Sequence, residues 1–154
     1  MPERMKKELR VSAIREGTVI DHIPANKVFE VVDILKLREH DNIVSVATNL
    51  KSKKLGKKGI IKIGGRELTK KEVNEIAIIA PAATINIIRN YEVKNKSKVE
   101  LPNRFENIIK CSNPKCITNN EEVKTLFYLI TKKPLKVKCH YCERVIEGNE
   151  IKLK

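Results

Sequence analysis

The apolar positions of the first hundred residues switch between two periods, and the switches mark the elements. Val28, Val31, Val32 and Leu35 follow the i, i+3, i+4, i+7 spacing of one helix face. They predict an amphipathic helix over 25–37, with Pro24 placed to open it. Thr69 and Glu72 have the spacing of a capping box, and Val73, Ile76, Ala77 and Ala80 continue at helical spacing until Pro81. Extended segments surround these helices. Residues 9–14 read as a short strand followed by a loop at Gly17, and 19–23 are apolar around Asp21 and His22. Residues 42–50 alternate, 59–63 return after a lysine-rich turn, and 84–91 with 92–99 make a final extended run. The order β-α-β-β-α-β predicts an α+β, ferredoxin-like sandwich, two helices on one face of a four-stranded sheet.

The pattern breaks around Leu101, Pro102 and Asn103, so a boundary is expected between a first domain of residues 1–100 and a second of 101–154. In the second, 125–131 and 135–138 read as strands turned at Lys132, Lys133 and Pro134, and 150–153 as a third strand after Gly148. This is a small antiparallel β-domain, and about fifty residues bury too little to offset chain entropy unaided. All four cysteines lie here, as Cys111-x4-Cys116 and Cys139-x2-Cys142, 22 residues apart. In a reducing compartment two such pairs suit a tetrahedral Zn²⁺, each pair folding into a knuckle that supplies two thiolates. Ser112, Asn113 and Pro114 are the residue types such a turn favours. Four protein ligands leave no position for water, so the ion is structural, contributing on the order of 10–16 kcal/mol to folding. His140, inside the second pair, is able to replace a thiolate; with four cysteines present it is expected to stand aside. Free buried thiols and redox chemistry are the competing readings.

Charge narrows the function classes. The 154 residues carry 32 Lys+Arg against 19 Asp+Glu, a formal net charge of +13, and 41% apolar residues are enough for a packed core. No stretch approaches the roughly 20 apolar residues of a membrane span and no signal-peptide core opens the chain, so a cytoplasmic protein is expected. Positive charge concentrates at Lys51, Lys53, Lys54, Lys57, Lys58 and Lys62, with no acid between 51 and 62. Such a block is either a solvated loop face or part of an anion site. Positive charge beside a zinc module also fits a zinc-ribbon nucleic-acid-binding protein. An RNA-binding sheet of this type stacks bases on exposed aromatics, however, and the predicted strands of the first domain carry only Tyr91. Catalysis finds little support: no carboxylate pair or Ser/His/Asp set stands out, and His22, His40 and His140 fall in unrelated segments. Nucleotide hydrolysis stands as a third reading.

Several motifs combine into a more specific signal. VSAIREGTVIDHIP at 11–24 resembles the opening signature of aspartate carbamoyltransferase regulatory chains, and KGIIKI at 58–63, APAAT at 80–84, and NYEV at 90–93 with Lys96 follow in order. Leu101-Pro102 and the C-x4-C…C-x2-C set complete a resemblance that runs from about residue 9 to 154. The resemblance implies a non-catalytic allosteric subunit acting on the first committed step of pyrimidine synthesis. Its first domain would bind CTP and ATP, with UTP acting alongside CTP and Mg²⁺ accompanying the nucleotides. Its zinc domain would dock on the catalytic chain. The family also implies a homodimer through the allosteric domain, in a dodecamer of six catalytic and six regulatory chains, with no role for nucleic acid or membrane.

The same resemblance assigns positions. Val11, Ala13 and Ile14 would read the base through main-chain groups and apolar packing. Ile88 and Tyr91 would offer carbonyls to an exocyclic amino group, which cytosine and adenine share. Asp21 and Lys62 match ribose positions with Val19 beside them, and His22 and Lys96 match phosphate contacts with Val93 nearby. Lys58 and Asn86 fall where a second nucleotide or bridging Mg²⁺ is expected. Ser12 departs from the pattern, standing where some relatives carry an acid, and the block at 51–57 is more basic than the family leads one to expect.

Overall fold

A computed structural model describes residues 13–154, which form two compact units, one ending at Val99 and the other spanning Glu100–Lys154. The first contains strands β1 (Gly17–Pro24), β2 (Val44–Ser52), β3 (Gly56–Gly64), β4 (Thr84–Arg89) and β5 (Glu92–Lys98), with helices α1 (Val28–Ile34) and α2 (Lys70–Ile79). The sheet order is β2-β3-β1-β4-β5, antiparallel throughout. Its first four strands have the order of the β-α-β-β-α-β sandwich. The fifth corrects the expectation of one final extended run. Asn90 and Tyr91 both take positive φ, 56° and 66°, and fold that run into a two-residue hairpin. Asn-Tyr lacks the glycine that usually marks such a turn, which is why the sequence pattern concealed it.

The first strand also differs from expectation. Residues 9–12, Val11 and Ser12 among them, lie outside the described residues, while Ala13 and Ile14 are in no regular element. The observed strand begins at Gly17, which was expected to be a loop. A Cβ at Gly17 would sit 2.0 Å from the Ile63 carbonyl oxygen, so a side chain there would block the approach of β1 to β3. The helix expected over 25–37 is shorter. A 3-10 turn at Ala25–Lys27 precedes α1, and a second at Leu37–Glu39 follows Lys36, whose φ is 53°. Leu35 and Leu37 are both buried. Two residues apart, they would face different sides of a continuous helix, and the break lets both reach the core. The capping box forms as expected: Thr69 Oγ1 accepts the Glu72 N–H at 3.2 Å, and Glu72 Oε1 accepts the Thr69 N–H at 3.0 Å.

The core joins Val28, Val31, Ile76 and Ala77 of the helices to Ile20, Ile23, Ile61, Ile63 and Ile85 of the sheet. Ile20 and Ile23 are both 0% exposed although they are three residues apart. Strict alternation forbids this, and a bulge makes it possible: the β1–β3 register shifts between them, with His22 at φ 60°. The extra residue leaves Asp21 and His22 together on the face turned away from the helices.

The second unit contains β6 (Arg104–Glu106), β7 (Ile109–Lys110), α3 (Ile117–Asn120), β8 (Leu126–Lys132), β9 (Leu135–Cys139), β10 (Val145–Glu147) and β11 (Lys152–Leu153). It forms a four-stranded sheet in the order β10-β9-β8-β6 and a two-stranded β11-β7 pair, around Phe105, Phe127, Ile109, Val137 and Ile146. Three strands were expected. β6, β7 and β10 span only two or three residues, too few for an alternation to register, and the strand expected over 150–153 narrows to β11.

Candidate metal centre and anion-binding face

The four cysteine sulfurs converge within 4.8 Å of one another. Cys111 Sγ lies 3.6 Å from Cys142 Sγ, and Cys116 Sγ lies 3.8 Å from Cys139 Sγ. Zn–S bonds of about 2.3 Å in a regular tetrahedron give S···S edges of about 3.8 Å, so the donor set fits a tetrahedral thiolate site for a metal such as zinc. Burial pushes the Cys111 thiol up to about 12 and raises Cys139 as well. At Cys142 burial acts the same way, but hydrogen bonds from the Arg144 backbone and the Asn113 side chain outweigh it and bring the thiol down to about 7. Such a cluster holds four thiolates only against a cation.

The knuckles are braced by side chains that the spacing did not reveal. Asn119 Nδ2 donates to the carbonyls of Cys111 (2.9 Å) and Asn113 (2.7 Å), and Asn120 Nδ2 donates to those of Pro114 (3.0 Å) and Cys116 (2.9 Å). Two consecutive asparagines just past a C-x4-C pair were the available signal. His140 is outside the thiol cluster; its Nδ1 lies 2.8 Å from Tyr128 Oη and its ring meets Tyr141 edge-on.

In the first unit the sheet face opposite the helices collects most of the polar candidates. Strand register aligns Ser45, Lys62, Val19, Asn86 and Lys96 in one row across β2, β3, β1, β4 and β5. A second row, two residues along, aligns Asp21, Thr84 and Lys98. On the other side of the first row, Gly17 stands opposite Ile88, which pairs with Val93. A depression near this end is lined by Ala13, Ile14, Arg15, Gly64 and Tyr91. Val19, Asp21, His22, Lys58, Lys62, Asn86 and Lys96 thus share one face, and Ala13, Ile14, Ile88, Tyr91 and Val93 lie toward one end of the sheet. Val11 is outside the described residues.

Local contacts set the electrostatics. Lys58 Nζ lies 2.9 Å from Asp21 Oδ1, which also accepts the His22 N–H at 2.6 Å. His22 Nδ1 lies 3.1 Å from Thr84 Oγ1 and 4.0 Å from Asp21 Oδ2. Lys62 is half-buried, and burial lowers its pKa. Asn86 Oδ1 is buried without a hydrogen-bond partner among the described residues. Thr84, the partner of His22, is the residue sequence reasoning missed here. Lys51, Lys53, Lys54 and Lys57 are exposed around the β2–β3 turn; of that block Lys58 engages Asp21.

Residues 9–100 match the family described as aspartate carbamoyltransferase regulatory chain, allosteric domain, and residues 103–152 match its metal-binding domain. The chain belongs to the aspartate carbamoyltransferase regulatory-chain family. It is 58% identical over 146 residues to the regulatory chain of Pyrococcus abyssi and 60% identical over 146 residues to that of Pyrococcus horikoshii, covering 94% of this chain and 96% of each relative. It is 49% identical over 148 residues to that of Phocaeicola vulgatus, covering 96% of both. As a regulatory chain it is the non-catalytic component of that enzyme, as the sequence led us to expect, with an allosteric and a metal-binding domain. The thiol cluster falls inside the metal-binding match. Among the described residues, no helix is long and apolar enough to cross a membrane.

Proposed function

We propose that this chain is the nucleotide-sensing subunit of an aspartate carbamoyltransferase, taking CTP, ATP and UTP on the open face of its first unit. The observation that carries this reading is the register that aligns Lys62, Val19, Asn86 and Lys96 beside the Asp21–His22 bulge. The base sits toward Ala13, Ile14, Ile88 and Tyr91, with Val11 contributing from the segment before them. Main-chain carbonyls there accept from the exocyclic amino group of cytosine or adenine, so one pocket serves both. Asp21 and Lys62 hold the ribose, with Val19 packed against it. His22 and Lys96 hold phosphate, with Val93 at their flank. The length of the face is suitable: the four steps along β1 from Gly17 to Asp21 span about 13 Å. Lys58 and Asn86 receive a second nucleotide or a bridging Mg²⁺. The unpartnered Asn86 oxygen is a hard donor of the kind Mg²⁺ takes.

The four cysteines hold one structural Zn²⁺ per chain, and the domain they stabilise, residues 101–154, docks on the catalytic chain in the cytoplasm. The sensing domain, residues 1–100, pairs with a second copy of itself, and regulatory dimers bridge catalytic trimers into a dodecamer of six and six chains. Control of this first committed step of pyrimidine synthesis then follows from linkage: an effector that binds one quaternary state better shifts the enzyme toward it. The test is calorimetric titration of the full chain with CTP, ATP and UTP, with and without Mg²⁺, together with capture of the catalytic chain. Saturable binding of CTP and ATP is expected. Absence of triphosphate binding, with salt-sensitive retention on nucleic acid instead, overturns the proposal.

A further inference from the structure

The four sulfurs of the metal centre are not supported alike. Four thiolates around one divalent cation leave negative charge uncompensated, and Cys111, Cys116 and Cys139 are each no more than 2% exposed. A buried thiolate carrying excess charge is stabilised by donors aimed at its sulfur. Backbone N–H groups supply them at three positions: Asn113 donates to Cys111, Tyr141 and Cys142 donate to Cys139, and Arg144 donates to Cys142. Cys116 is held differently. It stands at the N-cap of α3, yet its side chain accepts none of the helix's first N–H groups. The group against its sulfur is the half-buried hydroxyl of Thr118, with Oγ1 3.2 Å from Sγ. A hydroxyl and a thiol can each donate or accept, but a metal-bound thiolate only accepts. In the loaded site the Thr118 O–H therefore points at Cys116 Sγ.

We propose that Thr118 is the positioning residue of this fourth ligand: its hydroxyl gives Cys116 the hydrogen bond that the backbone gives the other three sulfurs, and so sets how tightly the ion is kept. This rests on the reading of the cysteine cluster as a Zn²⁺ site. The turn that carries the hydroxyl is itself fixed. Asn119 Nδ2 binds the carbonyls of Cys111 and Asn113, and Asn120 Nδ2 binds those of Pro114 and Cys116, so the start of α3 is tied to the first knuckle on both sides of the sulfur. A backbone donor is present whatever the side chain, whereas a side-chain donor depends on residue type. At position 118 serine or threonine can fill the role; valine, of nearly the same shape, cannot.

The test is competition for Zn²⁺ between the full chain and a chromogenic chelator, in the unchanged protein and in Thr118→Val, Thr118→Ser and Thr118→Ala, together with absorption spectra of the same chains loaded with Co²⁺. Thr118→Val is expected to weaken Zn²⁺ binding by about tenfold, the lower end of what outer-shell hydrogen bonds to metal ligands contribute. Thr118→Ala is expected to lose a similar factor, and Thr118→Ser to bind as the unchanged chain does. Without the hydrogen bond the sulfur lone pairs rise in energy. The sulfur-to-cobalt charge-transfer band of Thr118→Val is therefore expected at longer wavelength, a shift that lost packing alone does not produce. Unaltered Zn²⁺ affinity and an unaltered band in Thr118→Val overturn the assignment. A loss confined to Thr118→Ala also overturns it, because the effect then belongs to the missing methyl group. Failure of the unchanged chain to hold Zn²⁺ overturns the metal site itself.

Discussion

His22 carries more information than its neighbours because its position is created by an irregularity. In a regular strand His22 would share the core face with Ile20, and Ile23 would turn outward. Here positive φ and a register shift keep both isoleucines buried and bring His22 Nδ1 to 3.1 Å from Thr84 Oγ1. Held through Nδ1, the ring has its second nitrogen available to an anion. His22→Ala is accordingly expected to weaken CTP binding by about tenfold while changing cytidine binding by less than twofold, since a charge-assisted hydrogen bond contributes about 1.5–3 kcal/mol. Titration of both ligands decides this, and equal losses for the two remove His22 from the phosphate site. The type of residue was legible in the sequence, but its partner was not. Thr84 is 62 residues away in the chain, and nothing local to either position announces the pair.

Strand β3 shows how an element built for packing also serves recognition. Ile61 and Ile63 point into the core, while Lys62 lies between them on the open face. Gly59 continues the inward set, and a Cβ there would lie 2.1 Å from Val28 Cγ2 and 2.9 Å from the Ala47 carbonyl oxygen. The absent side chain lets α1 settle against the sheet. Gly59→Ala is expected to destabilise the first unit by about 1–3 kcal/mol, read as a lower urea midpoint, because a backbone carbonyl cannot move aside as a flexible side chain can. An unchanged midpoint means the helix has shifted without cost and contradicts this packing. Among the elements, α2 was legible from its capping box and β3 from its isoleucines. The short β6, β7 and β10 and the β4–β5 hairpin were not, since two or three residues carry no period and Asn90-Tyr91 lacks a turn glycine.

In the molecule as a whole, two units divide the work and are stabilised differently. The first buries an isoleucine- and valine-rich layer between helices and sheet. The second, spanning Glu100–Lys154, has a smaller core around Phe105 and Phe127 and gathers four thiols able to hold a metal. With Cys111 raised to about 12 and Cys139 raised as well, a metal must displace protons to bind. Proton competition therefore weakens metal binding as pH falls, and the second unit loses its staple in acid. Stoichiometric removal of zinc by a chelator is expected to unfold this unit, a loss on the order of 10–16 kcal/mol, and to release the chain from its catalytic partner. Circular dichroism and gel filtration of the assembled enzyme test this, and a complex that survives full metal loss contradicts it.

The sequence by itself determined the main helices and longer strands, the two cysteine pairs and the residue types on the open face. These depend on residue type and short spacing, which a linear chain displays. Tertiary structure alone decided that Lys62, Val19, Asn86 and Lys96 form one row and that Thr84 meets His22. Each of these depends on strand register, which is fixed by burying isoleucines on the opposite face; a slip of one residue would send every one of those side chains into the core.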